Sequence, residues 1–189
     1  MLRRVLSTVL KQTDHSRWAR PGSLESWWEP RTALLAAMLP SGSRVLEFGA
    51  GNGQLARYLD SSCTYTPSDL VDRGPGTLVC DLNARPLPQL PAGTFDVAVM
   101  LGVLEYLRDV PGLLDWLAER VPTCAVSYVC AEAKPWSLAE AREWLDRRRM
   151  GWMNSYRDDA LVALFRDRGF EQQSDATWKN NRLFVFTRQ

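Results

Sequence analysis

Residues 44–55 read Arg-Val-Leu-Glu-Phe-Gly-Ala-Gly-Asn-Gly-Gln-Leu, and this stretch decides the fold. Val45 and Leu46 begin a short buried strand, Glu47 sets a carboxyl at its C-terminal end, and Gly49, Ala50, Gly51, Asn52 and Gly53 form a tight turn. From Gln54 to Leu59 the pattern predicts a helix. A strand, a glycine loop and a helix in that order make a cradle for a nucleotide-type ligand. The glycines let the ligand approach the main chain, and the N–H groups of the helix start favour a negatively charged group. The glycines alone do not say which ligand.

The composition bounds the class of protein. The 189 residues with an apolar fraction of 46% suit one domain with a substantial core. A formal net charge of +1 gives no general argument for nucleic acid or an acidic partner. The four cysteines, Cys63, Cys80, Cys124 and Cys130, lack CxxC spacing. The last three lie in or beside apolar runs and read as reduced core residues. The single histidine, His15, excludes a His-rich metal site and disfavours a Ser-His-Asp site. No apolar run approaches the roughly 20 residues that span a bilayer, so a cytoplasmic protein is expected. Residues 1–20 are basic, with Leu2, Val5, Leu6, Val9 and Leu10 at helical spacing. The segment reads as a helix that packs on the domain or frays. A basic amphipathic helix touching a membrane or partner and an organelle-targeting peptide are the alternatives. Residues 1–30 are therefore expected as an N-terminal helical extension of a domain at 31–189.

Pro21 and Gly22 mark a turn, and Ser23 to Glu29 a short helical piece carrying Trp27 and Trp28. That pair reads as packing, with a lid over the ligand as the alternative. Pro30 suits the first turn of a helix with Leu34, Leu35 and Met38 as its buried stripe. After the glycine loop, residues 63–69 read as the second strand, which places Asp69 at its end, 16 residues beyond Gly53. A carboxylate there can accept hydrogen bonds from two ribose hydroxyls. Leu78 to Cys80 form a third strand, with Asp81-Leu82-Asn83 after it. Phe95 to Leu101 is a buried fourth strand, Gly102 to Leu107 leaves it to enter a helix, Val110 to Val121 is helical, and Ala125 to Val129 is the fifth strand. That alternation predicts a parallel, doubly wound sheet. Ser137 to Arg149 looks helical, and Arg147, Arg148 and Arg149 read as a solvated face complementing the helix dipole, or else as an anion-binding patch. Residues 151–156 form a polar and aromatic loop of the type that carries specificity, and 131–156 read as a substrate-side insertion. A helix from Asp158 to Arg168, closed by Gly169, precedes strands Phe170–Thr177 and Arg182–Thr187. The turn at Lys179-Asn180-Asn181 makes these two an antiparallel hairpin, and the last strand is apolar on both sides.

Taken in this order, the chain from about residue 31 to 189 resembles a class I S-adenosylmethionine-dependent methyltransferase. The likeness rests on Glu47-Phe48-Gly49-Ala50-Gly51-Asn52-Gly53, on Asp69, on Asp81-Leu82, on Leu101-Gly102-Val103-Leu104-Glu105 and on the terminal hairpin. The runs YTPSDLV, DLN, GVLEYL and GWMN are also similar to compact bacterial members of undefined substrate, some of which accompany glycan or surface-polysaccharide enzymes. The resemblance implies a Rossmann-like, seven-stranded, mostly parallel α/β sheet with an antiparallel C-terminal strand. It implies S-adenosylmethionine as cofactor, held by Glu47, Gly49, Ala50, Gly51, Asn52, Gly53, Asp69, Leu70, Asp81, Leu82, Leu101 and Gly102. A nicotinamide dinucleotide fits less well. Its G-x-G-x-x-G fingerprint needs a small residue where Gln54 stands.

Methyl transfer from a sulfonium is an in-line displacement of a neutral leaving group. Holding both reactants in line supplies roughly 7–11 kcal/mol of the barrier. A general base helps a hydroxyl acceptor by roughly 10²–10⁴-fold, yet none is evident. His15 lies far upstream, and Tyr106 stands where many family members carry a histidine. Tyr106 and Glu105 are the catalytic candidates, and Tyr128, Trp152, Asn154 and Tyr156 the substrate-side ones. Tyr128 and Glu105 read equally well as core and helix-surface residues. The expected acceptor is a small molecule or a glycan, with no nucleic acid partner. A non-catalytic S-adenosylmethionine-binding sensor or partner subunit of the same fold is the other class. The retention of Glu47, Asp69 and the glycines speaks against it.

Overall fold

The computed structural model describes residues 13–20, 24, 26–132 and 136–188. Five strands lie parallel: β1 (Arg44–Phe48), β2 (Thr64–Asp69), β3 (Leu78–Val79), β4 (Val97–Leu101) and β5 (Thr123–Tyr128). β6 (Phe170–Trp178) and β7 (Asn181–Arg188) form an antiparallel hairpin, and β7 runs antiparallel to β5. The sheet order is β3-β2-β1-β4-β5-β7-β6. The helices are α1 (His15–Trp18), α2 (Glu29–Ala36), α3 (Val110–Ala118), α4 (Leu138–Met150) and α5 (Asp158–Arg166). The doubly wound, mostly parallel sheet expected from the sequence is present.

The two-residue period of a strand sorts the apolar runs into two layers. Val45, Val97, Val99, Leu101, Ala125, Leu183 and Val185 face one side, where Leu35 and Ala36 of α2 and Leu55 cover them. Leu46, Phe48, Ala98, Met100, Val126, Phe184 and Phe186 face the other, under Leu113, Leu114 and Leu117 of α3 and Leu161 and Phe165 of α5. Phe165 stacks on Phe186 at 4.0 Å between ring centroids. Both faces of β7 are therefore filled, as its sequence required. β1 lies between β2 and β4, so the strand order reverses beside it and leaves a crevice at the C-terminal ends of these strands.

Several local expectations are corrected. Gln54–Arg57 is a 3₁₀ turn rather than a helix reaching Leu59. Gly53 in the left-handed region and the Asp60–Ser62 turn leave too few residues between them to propagate α-helix. Leu104–Tyr106 is also a 3₁₀ turn, and the helix proper starts only at Val110, where the Asp109 carboxylate accepts the Gly112 N–H at 2.9 Å. On α2, Leu34 is 36% exposed, whereas Arg31 and Thr32 join Leu35 on the buried face. The arginines ending α4 are not a uniform solvated face. Arg147 is 5% exposed, pairs with Glu143 at 2.9 Å and donates to the Val129 carbonyl at 2.8 Å. Arg148 donates to the carbonyls of Trp152 and Met153. Only Arg149 behaves as expected, pairing at the surface with Asp146. All four cysteines are free, with Cys124 buried and Cys63, Cys80 and Cys130 half-buried. The apolar positions at Leu2, Val5, Leu6, Val9 and Leu10, and the turn at Pro21-Gly22, lie outside the described residues. Among the described residues no helix is long and apolar enough to cross a membrane.

Candidate functional site

A cavity of about 380 Å³ opens over the C-terminal ends of β1, β2 and β4. Its floor is the glycine loop. The Ala50 N–H donates to the Ser68 carbonyl at 2.9 Å, tying the loop to β2. Gly49 has φ +69°, and a Cβ built there would lie 2.6 Å from the Val103 side chain. No larger residue fits between the loop and the segment after β4.

Two aspartates stand at one end. Asp69 is 6% exposed. Its Oδ2 accepts the Gly51 N–H at 2.9 Å, and its Oδ1 accepts from Val71 N–H at 3.3 Å and Arg73 at 3.2 Å. Asp81 accepts the Asn83 N–H at 2.8 Å and the Thr13 hydroxyl at 3.1 Å, and its other oxygen lies 3.3 Å from His15 Nε2. His15 is thus brought across the chain to this end of the cavity. Arg73 also donates to the Trp18 carbonyl at 2.7 Å, so residues 13–18 cover the two aspartates.

The middle of the cavity holds buried ionisable groups. Glu47 is 3% exposed, and burial lifts its pKa from 4.5 to about 7, against a hydrogen bond from the Tyr65 hydroxyl at 2.6 Å and the nearby Arg31 guanidinium. Glu105 is 2% exposed and its pKa is also raised by burial. Its Oε1 accepts the Val129 N–H at 3.0 Å, while Oε2 has no partner among the described residues. Tyr106 meets Trp18 edge-on at 5.1 Å, with the Arg17 guanidinium 5.4 Å from its ring. Burial raises the Tyr106 pKa, which keeps the phenol protonated. Trp27, Trp28, Trp152 and Met153 complete this end of the wall.

Most of the residues singled out from sequence meet in this cavity. Glu47, Gly49, Ala50, Gly51, Asn52, Asp69, Leu70, Asp81, Leu82, Leu101, Gly102, Glu105, Tyr106 and Trp152 all line it. Gly53 does not; it turns the chain into the 3₁₀ segment. Tyr128, Asn154 and Tyr156 do not line it either. The buried Tyr128 hydroxyl donates to Asn154 Oδ1 at 2.6 Å and accepts the Tyr156 N–H at 3.0 Å. Asn154 Nδ2 donates to the carbonyls of Leu104 and Leu107 at 2.7 and 2.8 Å. These three residues staple the 151–156 loop beneath the segment after β4, and of the four substrate-side candidates Trp152 alone lines the cavity. Arg31, Asn181, Arg17 and Trp18 line the cavity and were not singled out. For Arg31 a signal existed, since it lies one helical turn before the buried Leu35 on the same face. Among the described residues no cluster of His, Cys, Asp or Glu is arranged to hold a metal ion.

Comparisons with known proteins agree with this geometry. A family model described as a methyltransferase domain matches residues 12–174. No curated protein matches the sequence. Among solved structures, the mitomycin 7-O-methyltransferase MmcR aligns with a TM-score of 0.63 at 17% identity, over 89% of this chain and 56% of its own. The chain thus spans little more than half of that enzyme. A Nostoc punctiforme protein of proposed O-methyltransferase activity aligns with a TM-score of 0.71 at 10% identity, over 99% of this chain and 67% of its own. Magnesium protoporphyrin IX methyltransferase from Synechocystis, solved with bound S-adenosylhomocysteine (SAH), aligns with a TM-score of 0.61 at 16% identity, over 98% of both chains. At these identities the solved structures speak to the fold. The family match is in line with the cofactor expected from the sequence, S-adenosylmethionine. The chain belongs to the methyltransferase-domain family.

Proposed function

We propose that this protein transfers a methyl group from S-adenosylmethionine to a small-molecule or glycan-type acceptor, chiefly by proximity and orientation. The observation that carries the proposal is the layout of one cavity. It brings together the glycine loop, the carboxyl groups of Glu47, Asp69 and Asp81, and, on the same wall, Glu105, Tyr106 and the four tryptophans Trp18, Trp27, Trp28 and Trp152. When bound, the cofactor supplies a methyl group already activated on a sulfonium.

The residues present fit that cofactor. Gly49 leaves the cradle open where a Cβ would collide with Val103. Asp69 would accept the ribose hydroxyls. Its oxygens already take three donors of about four acceptor positions, so one hydroxyl enters freely and the second requires Arg73 to yield. Asp81, Leu70 and Leu82 would flank the adenine. Glu47 would hold the methionyl ammonium, with the main chain at Leu101 and Gly102 alongside.

On the acceptor side, Trp27, Trp28 and Trp152 offer flat apolar faces to a sugar or aromatic ring. The protonated Tyr106 hydroxyl donates a hydrogen bond to the acceptor. Glu105, whose Oε2 has no partner among the described residues and whose basicity is raised by burial, takes the proton from an acceptor hydroxyl. We assign residues 131–156 as the segment that closes the acceptor side onto a domain beginning near residue 31. The buried pairing of Arg147 with Glu143 and the Val129 carbonyl, and the Arg148 clamp on residues 152–153, support that boundary.

The test is a methyl-transfer screen with labelled S-adenosylmethionine against sugars, lipid-linked glycans, phenols and small acids. Saturable transfer to one class, lowered about tenfold in Tyr106→Phe and by roughly 10²-fold or more in Glu105→Gln, is the expected result. SAH binding without transfer to any acceptor would refute the enzymatic assignment in favour of a non-catalytic cofactor-binding role.

A further inference from the structure

Arg31 presents a problem that neither the fold nor the acceptor chemistry explains. It is a guanidinium on α2, 6% exposed, on the cavity wall. Among the described residues its Nε has no partner, and its one hydrogen bond, to Asn181 Oδ1, is long at 3.4 Å. The Trp28 ring lies 5.5 Å away and offers only a weak cation–π contact. Glu47 and Glu105 are its electrostatic neighbours, yet neither forms an ion pair with it among the described residues. A buried charge in that condition costs several kcal/mol unless an anion meets it.

The backbone has been shaped around this side chain. Gly102 has φ +67°, and a Cβ there would sit 3.1 Å from an Arg31 terminal nitrogen. The guanidinium therefore rests on the main chain directly after β4, between the ends of β1 and β7, where Glu47 and Asn181 stand. That is the end of the cavity away from Asp69 and Asp81. A ligand whose ribose is at Asp69 and whose tail reaches Glu47 brings its amino-acid end to this point. Its ammonium meets Glu47, which leaves one negative group to satisfy.

We infer that Arg31 binds the α-carboxylate of the cofactor's methionyl end, forming with Glu47 a matched pair for the zwitterion. This rests on the cofactor reading above. The planar fork of a guanidinium suits a carboxylate through two parallel N–H donors.

Two ligands test it without any turnover. SAH carries the carboxylate, and 5′-methylthioadenosine has the same nucleoside and thioether but no amino-acid end. Calorimetric titration of wild type, Arg31→Met and Arg31→Lys with each ligand separates the possibilities, with thermal unfolding as the check on folding. Arg31→Met should weaken SAH by about 10- to 100-fold and leave 5′-methylthioadenosine within twofold. Arg31→Lys, which keeps a point charge but loses the fork, should fall between wild type and Arg31→Met for SAH. Equal losses for both ligands would overturn the assignment by showing that Arg31 only supports the wall. Unchanged SAH affinity with a raised KM for the acceptor would overturn it by placing Arg31 on the acceptor instead. Failure of wild type to bind either ligand would sink the cofactor reading itself, which is a different result from wild type binding both.

Discussion

Glu47→Gln should make the protein more stable above neutral pH while weakening its hold on the cofactor. Glu47 is 3% exposed at the end of β1, and burial moves its pKa from 4.5 to about 7. Between these values the folded chain keeps a proton that the unfolded chain has lost. Stability contributed at this site is therefore intact below about pH 4.5 and falls as the pH rises through 7. The interval from 4.5 to about 7, at ~1.4 kcal/mol per pH unit, amounts to roughly 3 kcal/mol by pH 8. Glutamine has nearly the same shape, still accepts from the Tyr65 hydroxyl, and carries no charge to desolvate. Urea unfolding followed by tryptophan fluorescence should find the two proteins close at pH 4.5 and the variant ahead by roughly 2–3 kcal/mol at pH 8. For a domain of this size that is about 5–10 °C in Tm. Glu105 is buried in both proteins and cancels in the difference. A gap between variant and wild type that is the same at pH 4.5 and pH 8 would refute the reasoning.

Other outcomes follow from the same geometry. Tyr106→Phe should lower kcat by about tenfold, the worth of one hydrogen bond to the acceptor, and leave SAH affinity alone; an unchanged rate would clear Tyr106 of any part in the reaction. Asn154→Ala strands the Tyr128 hydroxyl and the carbonyls of Leu104 and Leu107. It should cost about 2–4 kcal/mol in chemical denaturation, and a loss of less than 1 kcal/mol would contradict the staple. Gly102→Ala should weaken SAH binding, because the new methyl group presses on Arg31 and the backbone leaves its favoured region; calorimetry showing wild-type affinity would mean that Arg31 moves aside freely.

The order of strands and helices was legible because period-two apolar runs and turn residues carry it. Val97 to Leu101 could only be a strand covered on both sides, and it is buried at every position. The cofactor end was legible for the same reason. Glycines and carboxylates at strand ends have few other uses. The acceptor end was not. Tyr128, Asn154 and Tyr156 look like recognition residues in one dimension, but buried polar groups must find partners, and these three found one another and the 104–107 carbonyls. Arg31 escaped notice, and His15 was set aside as far upstream, because what matters about them is a long-range approach. His15 reaches Asp81 across 66 positions of sequence, and Arg31 reaches Asn181 across 150. The helical segments after Gly53 and Gly102 were overestimated because apolar spacing survives in a 3₁₀ turn, while the glycine before each one redirects the chain.

The central claim, a cofactor cavity built on the glycine loop and Asp69, is tested most directly by calorimetric titration of SAH and NAD into wild type and Asp69→Ala. Wild type should bind SAH saturably and give no comparable heat with NAD, and the variant should lose about 1–3 kcal/mol of SAH affinity. NAD binding as tightly as SAH, or SAH binding to Asp69→Ala as tightly as to wild type, would contradict it.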